Sequence, residues 1–498
     1  MTPISYLSLL KLAAPEIIVI ITVLAVLSAD LLAMRDLDLP FRRLIGAMIS
    51  CAGCAAAIAW MVVMPQQGNV ATGMFVVDHL IQMVKGALLV LAVLTLLVSV
   101  DTDFTPHVGE FFALVLLGVL GMMLLASSED ILMVFISLEL TSLSLYVLAA
   151  FDKRNPNSAE AALKYFLFGG MAAAFTLFGL SLLYGLSGAT NLGQIAAAIK
   201  GPKLDPVLLL AIVMTLVGFG FKIAAVPFHL WAPDAYQGAP APSAALIASG
   251  SKVASFFVLA KVVMVGFKGA EGSAGWHAYA AGWVPALAIL AAVSIIFGNL
   301  TAIVQTSVRR LLAYSAVAHG GYMLLGVLPA TGQGLASLVY YVITYGLTTL
   351  GAFGVVSAVQ GSAGSDALSN FAGLSRRAPV LSLCMMVFML SLAGIPPLAG
   401  FFGKFYLFAS ALNAAHQSLG LLWLVFLALG MSAVSLYYYL QVLKQIYVAS
   451  PPAETHPAPV PMLTQVVLAA VALAVLLLGC LPDLLLDQLT VTVHAAGF

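Results

Sequence analysis

Apolar runs of about twenty residues recur along the whole chain, separated by short polar or Gly- and Pro-rich stretches. That is the length an α-helix needs to cross roughly 30 Å of hydrocarbon. About fourteen spanning helices are expected, over residues 14–34, 44–64, 74–100, 109–127, 129–151, 160–186, 206–229, 242–268, 277–300, 307–328, 334–358, 377–410, 420–448 and 462–485. The first run has only Lys11 ahead of it, full spanning length and no small-residue cleavage pattern behind it, so it reads as a retained helix. The longest connections, near 187–205, 359–376 and 449–461, are too short for a soluble domain. The apolar stretch NLGQIAAAIK in the first of them reads as a short interfacial helix. The pattern therefore predicts an all-α polytopic membrane protein.

Composition sharpens this. The chain is 62% hydrophobic and 8% charged, where about 25% charged is usual for a soluble domain. Forty charges cannot cover a soluble fold of 498 residues, and a formal net charge of zero removes any case for nucleic acid. Cys51, Cys54, Cys384 and Cys480 all sit in apolar runs, and the CAGC spacing reads as small-residue packing. A phosphate-binding glycine loop is missing, and GFG at 218–220 lacks the third glycine of a dinucleotide site. His79, His107 and His277 are dispersed singly near run ends. Neither a cofactor nor a metal is expected in this chain.

The cations divide into three groups. Arg35, Arg42, Arg43, Lys153, Arg154, Arg309, Arg310, Arg376, Arg377 and Lys444 fall in alternate loops, against Lys11, Lys200, Lys203 and Lys268 on the opposite face. That excess predicts both termini outside the cytoplasm. The other six, Lys85, Lys164, Lys222, Lys252, Lys261 and Lys404, lie inside apolar runs, and none of the six is an arginine. Arginine stays charged at any accessible pH, whereas a desolvated lysine gives up its proton readily. A charge at mid-membrane costs about 2.5 to 3.5 kcal/mol, so six would cost on the order of 15 to 20 kcal/mol unless neutralised, paired or hydrated. Lys261, near a run end, is expected to snorkel towards water, and Lys85 either to be compensated locally by Asp78 and His79 or to take a proton role. Glu139 reads as the one carboxylate well inside a run; beside a lysine it can ionise, giving a pair whose proton affinity changes as the partners separate.

Two runs are interrupted beside a lysine. In GFGFKIAAVPFHLW, Pro227 clashes with the carbonyl of Ile223, so the helix should open at Lys222. In SLAGIPPLAGFFGKFYLF, Gly394, Pro396 and Pro397 precede Lys404 by two to three turns. Irregular backbone at membrane depth survives only where protein or water satisfies it, which predicts internal wet cavities. The breaks fall in runs seven and twelve, five apart, the arrangement of two inverted five-helix repeats. The expected organisation is an N-terminal three-helix segment over 1–108, repeats over 109–268 and 269–448, and a last helix over 449–498. The mid-membrane titratable set is Glu139, Lys164, Lys222, His229, Lys252, His319 and Lys404, spread over neighbouring helices as a lateral row. Lys222 and His229, seven apart, share a helix face if the break leaves the turn count intact. Gly320 and Gly321 are expected to let water reach His319, whose neutral-range titration suits a relay.

The segments FKIAAVPFHLWAPDAYQGAPAPSAALIASGSKVASFF, ILMVFISLELTSLSLYVLAA, RRLLAYSAVAHGGYMLLG and GIPPLAGFFGKFYLF resemble the defining blocks of the antiporter-like membrane subunits of respiratory complex I, a family also found in cation/proton antiporters and membrane hydrogenases. The resemblance covers most of the chain. It implies that Glu139 is the carboxylate of the fifth helix, Lys222 its partner on the broken seventh, Lys252 the connecting lysine on the eighth and Lys404 the terminal lysine on the broken twelfth. Lys164, His229 and His319 match further positions of the family's polar axis. A lysine at 404 argues against the M type and the missing long lateral helix against the L type, leaving the N type as the nearest resemblance. By resemblance, FMN, iron–sulfur clusters and quinone belong to partner subunits, and the partners are other complex I membrane subunits, a peripheral redox arm and membrane lipids. The chain would then move protons from cytoplasm to periplasm across a bacterial inner membrane. It carries no energy source of its own, and lifting one proton against 150 to 200 mV costs roughly 3.5 to 4.6 kcal/mol. A Na⁺/H⁺ antiporter component and a non-pumping structural subunit are the alternatives.

Overall fold

The computed structural model describes residues 6–199, 205–276, 278–413, 420–450 and 460–498; Lys200, Lys203 and His277 lie outside them. A short helix α1 (Tyr6–Leu12) leads into α2 (Ala14–Ser28), prolonged by a π turn over Ala29–Ala33, and then α3 (Leu39–Val63). An antiparallel hairpin of β1 (Gly68–Val70) and β2 (Phe75–Val77), with Asn69 opposite Val76, precedes α4 (His79–Ser99), α5 (Val108–Ala126), α6 (Ile131–Ala149) and α7 (Pro156–Ser187). The NLGQIAAAIK stretch forms the short helix α8 (Leu192–Ala198). The seventh run opens where expected, into α9 (Pro206–Lys222), an irregular stretch over 223–230 in which Ala224 has φ +58°, and α10 (Trp231–Gly238). After α11 (Ala241–Ala248), a kink at Ser249 leads to α12 (Gly250–Lys261) and a π turn over Val262–Gly266.

A second hairpin, β3 (Ser273–Gly275) and β4 (Ala278–Ala280), precedes α13 (Trp283–Ile303), α14 (Val308–Val327) and α15 (Gly332–Ala363). The one-turn α16 (Leu374–Arg377) leads to α17 (Pro379–Ala393), which stops at Gly394 (φ +86°) before α18 (Ala399–Asn413). The chain continues as α19 (Leu422–Tyr447), α20 (Met462–Cys480) and α21 (Asp483–Ala495).

Among the described residues, eleven helices are long and apolar enough to cross a membrane. The other three expected crossings correspond to the broken α9–α10, the more polar α14 and the interrupted α17–α18. Helix starts follow local chemistry: Asp78, Asp130, Asn155, Asp205, Ser307 and Thr331 each accept a hydrogen bond from a backbone N–H of the helix they precede. Three boundaries differ from expectation. The runs at 74 and 277 begin in hairpins rather than helix, so α4 starts at His79 and α13 at Trp283; each strand is three residues long and carries no readable alternation. The last run ends at Cys480, and the C-terminal α21 is a separate helix packed on α15.

The 32-residue α15 is buried over nearly its whole length, with α11, α12, α14, α17, α18, α20 and α21 against it. Other pairs meet through glycine. A Cβ at Gly298 would lie 2.6 Å from the Ala318 backbone nitrogen, and one at Gly321 2.8 Å from the Ala291 oxygen, so α13 and α14 are in backbone contact at both points. Gly321 is therefore a packing residue rather than an opening for water. Gly298→Val is expected to push the two helices apart at a cost of about 1 to 3 kcal/mol, read as a lowered thermal midpoint in detergent. Gly430→Ala, in the interior of α19 where a Cβ meets nothing within 4 Å, should leave the midpoint unlowered or raise it slightly, since alanine is the better helix former by about 0.5 to 1 kcal/mol.

Candidate functional site

Five of the seven expected residues form a lateral row across the bundle. Glu139 lies on α6, partly exposed, and shares with Lys222 a cavity of about 10 Å³ lined also by Phe135, Leu138, Thr176 and Gly218. That is room for about one water molecule. The two side chains do not touch. Lys222, the last residue of α9, donates to Ser142 Oγ one turn beyond Glu139, with the Tyr146 ring 5.7 Å away. Pro227 and the turn at Ala224 end the helix here and leave the lysine at the break.

Lys252 follows the kink at Ser249 and is 1% exposed. Its ammonium donates to the Ala316 carbonyl on α14 and sits 5.6 Å from the Tyr345 ring. A Cβ at Gly320 would lie 3.2 Å from the Ile223 oxygen and 3.7 Å from Lys252 Nζ. The missing side chain at 320 thus lets the break after Lys222, the ammonium of Lys252 and the helix of His319 meet at one point. His319 is buried, with Nδ1 2.6 Å from Tyr341 Oη and Nε2 3.0 Å from Tyr439 Oη. Lys404 ends the row. Its three donors have three acceptors, the Leu392 and Ala393 carbonyls at 3.0 and 3.1 Å and Ser432 Oγ at 2.9 Å, and the Tyr322 ring is 5.1 Å away. The two carbonyls are available because α17 stops at Gly394.

Two expected members stand apart. Lys164 is not at mid-membrane: it lies two turns into α7, 39% exposed, bound to Glu160 at 2.7 Å and Asp234 at 2.8 Å. Asp234 also accepts from Arg310 at 2.7 Å, so this network ties α7, α10 and α14 together at the arginine-rich end. His229 does not share a face with Lys222, because the helix ends at 222 and the turn count is lost over 223–230. It is buried beside Phe297, with neither ring nitrogen hydrogen-bonded.

The remaining intramembrane cations correct the sequence reading. Lys85 pairs with Glu16 of α2 at 2.6 Å, both buried, while Asp78 caps α4 through the Ile81 N–H. Glu139 is therefore not the only carboxylate inside a run. Lys261 does not snorkel; it is 1% exposed and meets Glu129 at 3.2 Å. Arg309, counted with the loops, is buried on the first turn of α14, donating to the Ala239 carbonyl.

The family model described as NADH:quinone oxidoreductase/Mrp antiporter, TM matches residues 128–432, which contain the whole row. The NADH-quinone oxidoreductase subunit N 2 of Acidobacterium capsulatum is 51% identical over 498 residues, covering 98% of this chain and 100% of the relative. The chain belongs to this family. A chain of respiratory complex I from Thermus thermophilus superimposes with a TM-score of 0.79 at 36% identity, covering 95% of this chain and 99% of that one. A chain of the Mrp complex from a Dietzia species shares the fold, with a TM-score of 0.81 at 20% identity over 98% of this chain and 97% of that one. In this member of the family, the sequence reading missed the tyrosines. Tyr322, Tyr341, Tyr345 and Tyr439 surround His319 and the two flanking lysines, and an excess of aromatic hydroxyls in α14, α15 and α19 was the only signal available. Among the described residues, no three His, Cys, Asp or Glu side chains converge as a metal site.

Proposed function

We propose that this chain is the N-type proton-translocating membrane subunit of an NADH-quinone oxidoreductase, carrying protons from cytoplasm to periplasm through Glu139, Lys222, Lys252, His319 and Lys404. It sits in a bacterial inner membrane with fourteen crossings, both termini periplasmic and two inverted repeats over 109–268 and 269–448. FMN, iron–sulfur clusters and quinone reside in partner subunits, whose redox chemistry supplies the work. One observation carries the reading: ionisable groups on five helices follow one another across the bundle, Lys252, His319 and Lys404 buried, with Lys222 at one helix break and the Lys404 amine reaching the other. Lys164 and His229 act outside the row, Lys164 as part of the ion network that fixes α10.

The cost of a bare charge in hydrocarbon explains the construction. Movement of the Glu139 carboxylate towards or away from Lys222 changes the lysine's proton affinity. A proton displaced from Lys222 reaches Lys252 across the gap at Gly320, passes His319 and is held on Lys404 by three acceptors. On the arginine-rich end, the side from which the scheme takes protons up, lies a cavity of about 530 Å³ lined by Asp101, Asp152, Arg309 and Gln360. At the other end, the side to which the scheme releases protons, a cavity of about 220 Å³ lined by Glu271, Leu328 and Ala411 lies two turns beyond Lys404 along α18.

The test is the number of protons moved per NADH oxidised in membrane vesicles carrying Lys222→Ala or Glu139→Gln. Both are expected to oxidise NADH in an assembled complex while moving fewer protons; full pumping in both contradicts the scheme. Sodium-dependent transport without an electron donor would instead make the chain an antiporter component. Variants that lose assembly but pump normally once assembled would make it structural.

A further inference from the structure

The imidazole of His319 faces neither lysine. Nδ1 is engaged by the Tyr341 hydroxyl at 2.6 Å and Nε2 by the Tyr439 hydroxyl at 3.0 Å, and the ring is buried. Resting on the relay reading above, we propose that the hydroxyls of Tyr341 and Tyr439 are catalytic residues of the relay, the obligatory proton carriers on either side of His319.

Each tyrosine has a neighbour on the expected side. Tyr439 Oη is also bonded to Ser315 Oγ at 2.5 Å, and Ser315 precedes Ala316, whose carbonyl accepts from Lys252. The Tyr341 ring lies against Gly403: a Cβ there would be 2.2 Å from Tyr341 Cδ2, so the ring reaches the residue next to Lys404 only because 403 has no side chain. The entry side is thus Ser315 and Tyr439, and the exit side Tyr341.

A neutral imidazole carries one N–H, so one nitrogen donates while the other accepts. With Tyr439 donating to Nε2 and Nδ1–H donating to Tyr341, a proton arriving at the Tyr439 oxygen releases that hydroxyl's own proton to Nε2. Nδ1 passes its proton to the Tyr341 oxygen, and the Tyr341 hydroxyl gives its proton to the lone pair of a neutral Lys404 amine. One proton enters and one leaves, with every heavy-atom bond unchanged. The tautomer is now inverted and both hydroxyls point the other way, so the imidazole must regain its Nδ1–H tautomer and both hydroxyls must rotate back before a second proton can follow. Ser315 gives the Tyr439 hydroxyl an alternative partner during that return. The wire carries a single proton per reset, which suits a relay driven by discrete redox events.

The experiment measures protons moved per NADH oxidised by the whole complex in membrane vesicles carrying Tyr341→Phe or Tyr439→Phe. Phenylalanine keeps the ring and its packing and removes only the carrier. Each variant is expected to fall to the pumping level of Lys222→Ala with NADH oxidation retained. Tyr340→Phe removes a hydroxyl that donates to the Leu478 carbonyl on α20, off the wire, and should pump as the unmodified complex does. The two positions are independent, so either assembled variant decides. Normal pumping in an assembled Tyr341→Phe or Tyr439→Phe, or an equal loss in Tyr340→Phe, overturns the assignment. If Lys222→Ala itself pumps normally, the relay reading falls as well; if it loses pumping while the phenylalanine variants keep it, only the tyrosine assignment falls.

Discussion

Replacing Lys85 with methionine is expected to destabilise the chain by about 3 to 5 kcal/mol, the cost of leaving one member of a buried ion pair without its partner. Glu16 Oε1 and Lys85 Nζ are 2.6 Å apart, with side chains 4% and 1% exposed, so water cannot take over the solvation of either. The Phe75 ring, 4.8 Å from the ammonium, covers it from the hairpin side and supplies a second attraction. Thermal unfolding in detergent measures the effect. The double variant Glu16→Leu, Lys85→Met should recover most of the loss, because two apolar side chains of similar volume can replace a buried pair at little or no cost. A single variant as stable as the unmodified chain would mean that the pair is hydrated and structurally incidental. Neither residue lies in the row, so pumping in assembled double-variant complexes should be normal.

Lys404→Arg should block proton movement through the second half of the row while keeping a positive charge there. Lysine at this site can hand its proton on, whereas a guanidinium holds its proton at any accessible pH. The larger head group also has to fit where Gly394 already crowds the chain, since a Cβ at 394 would be 3.2 Å from Lys404 Cδ; the packing cost is about 1 to 3 kcal/mol. Vesicles with assembled Lys404→Arg complexes are expected to move no more protons per NADH than Lys404→Met. Pumping at the unmodified level in the arginine variant would show that a fixed charge suffices at 404, and the idea of a proton held and released there would be lost.

Much of the row was legible because proline and lysine act locally. Pro227 ends α9 at Lys222 whatever surrounds it, and the Gly394–Pro397 stretch interrupts the twelfth run for the same reason. The residues read least well were those whose role depends on a distant helix. Lys164 and Lys222 both sit in apolar runs, yet one reaches an ion network at a helix end and the other a break in the bilayer's interior. His229 lost its place because the break that exposes Lys222 also destroys the helical register that would have aligned the two. Glu16 escaped notice because it stands near the start of its run, where a carboxylate ordinarily faces water.

By itself the sequence determined the membrane class, the positions of most crossings, the two broken helices and the lysines beside them. Each of these follows from a short stretch of chain: hydrocarbon demands a helix that satisfies its own backbone, and proline forbids one. Only the tertiary structure decided which polar groups meet. That Lys85 finds Glu16, that His319 is held between Tyr341 and Tyr439, and that Gly320 and Gly403 open the gaps bringing these groups together are outcomes of helices packing side by side. Partners drawn from helices tens to hundreds of residues apart leave no periodic trace along either one.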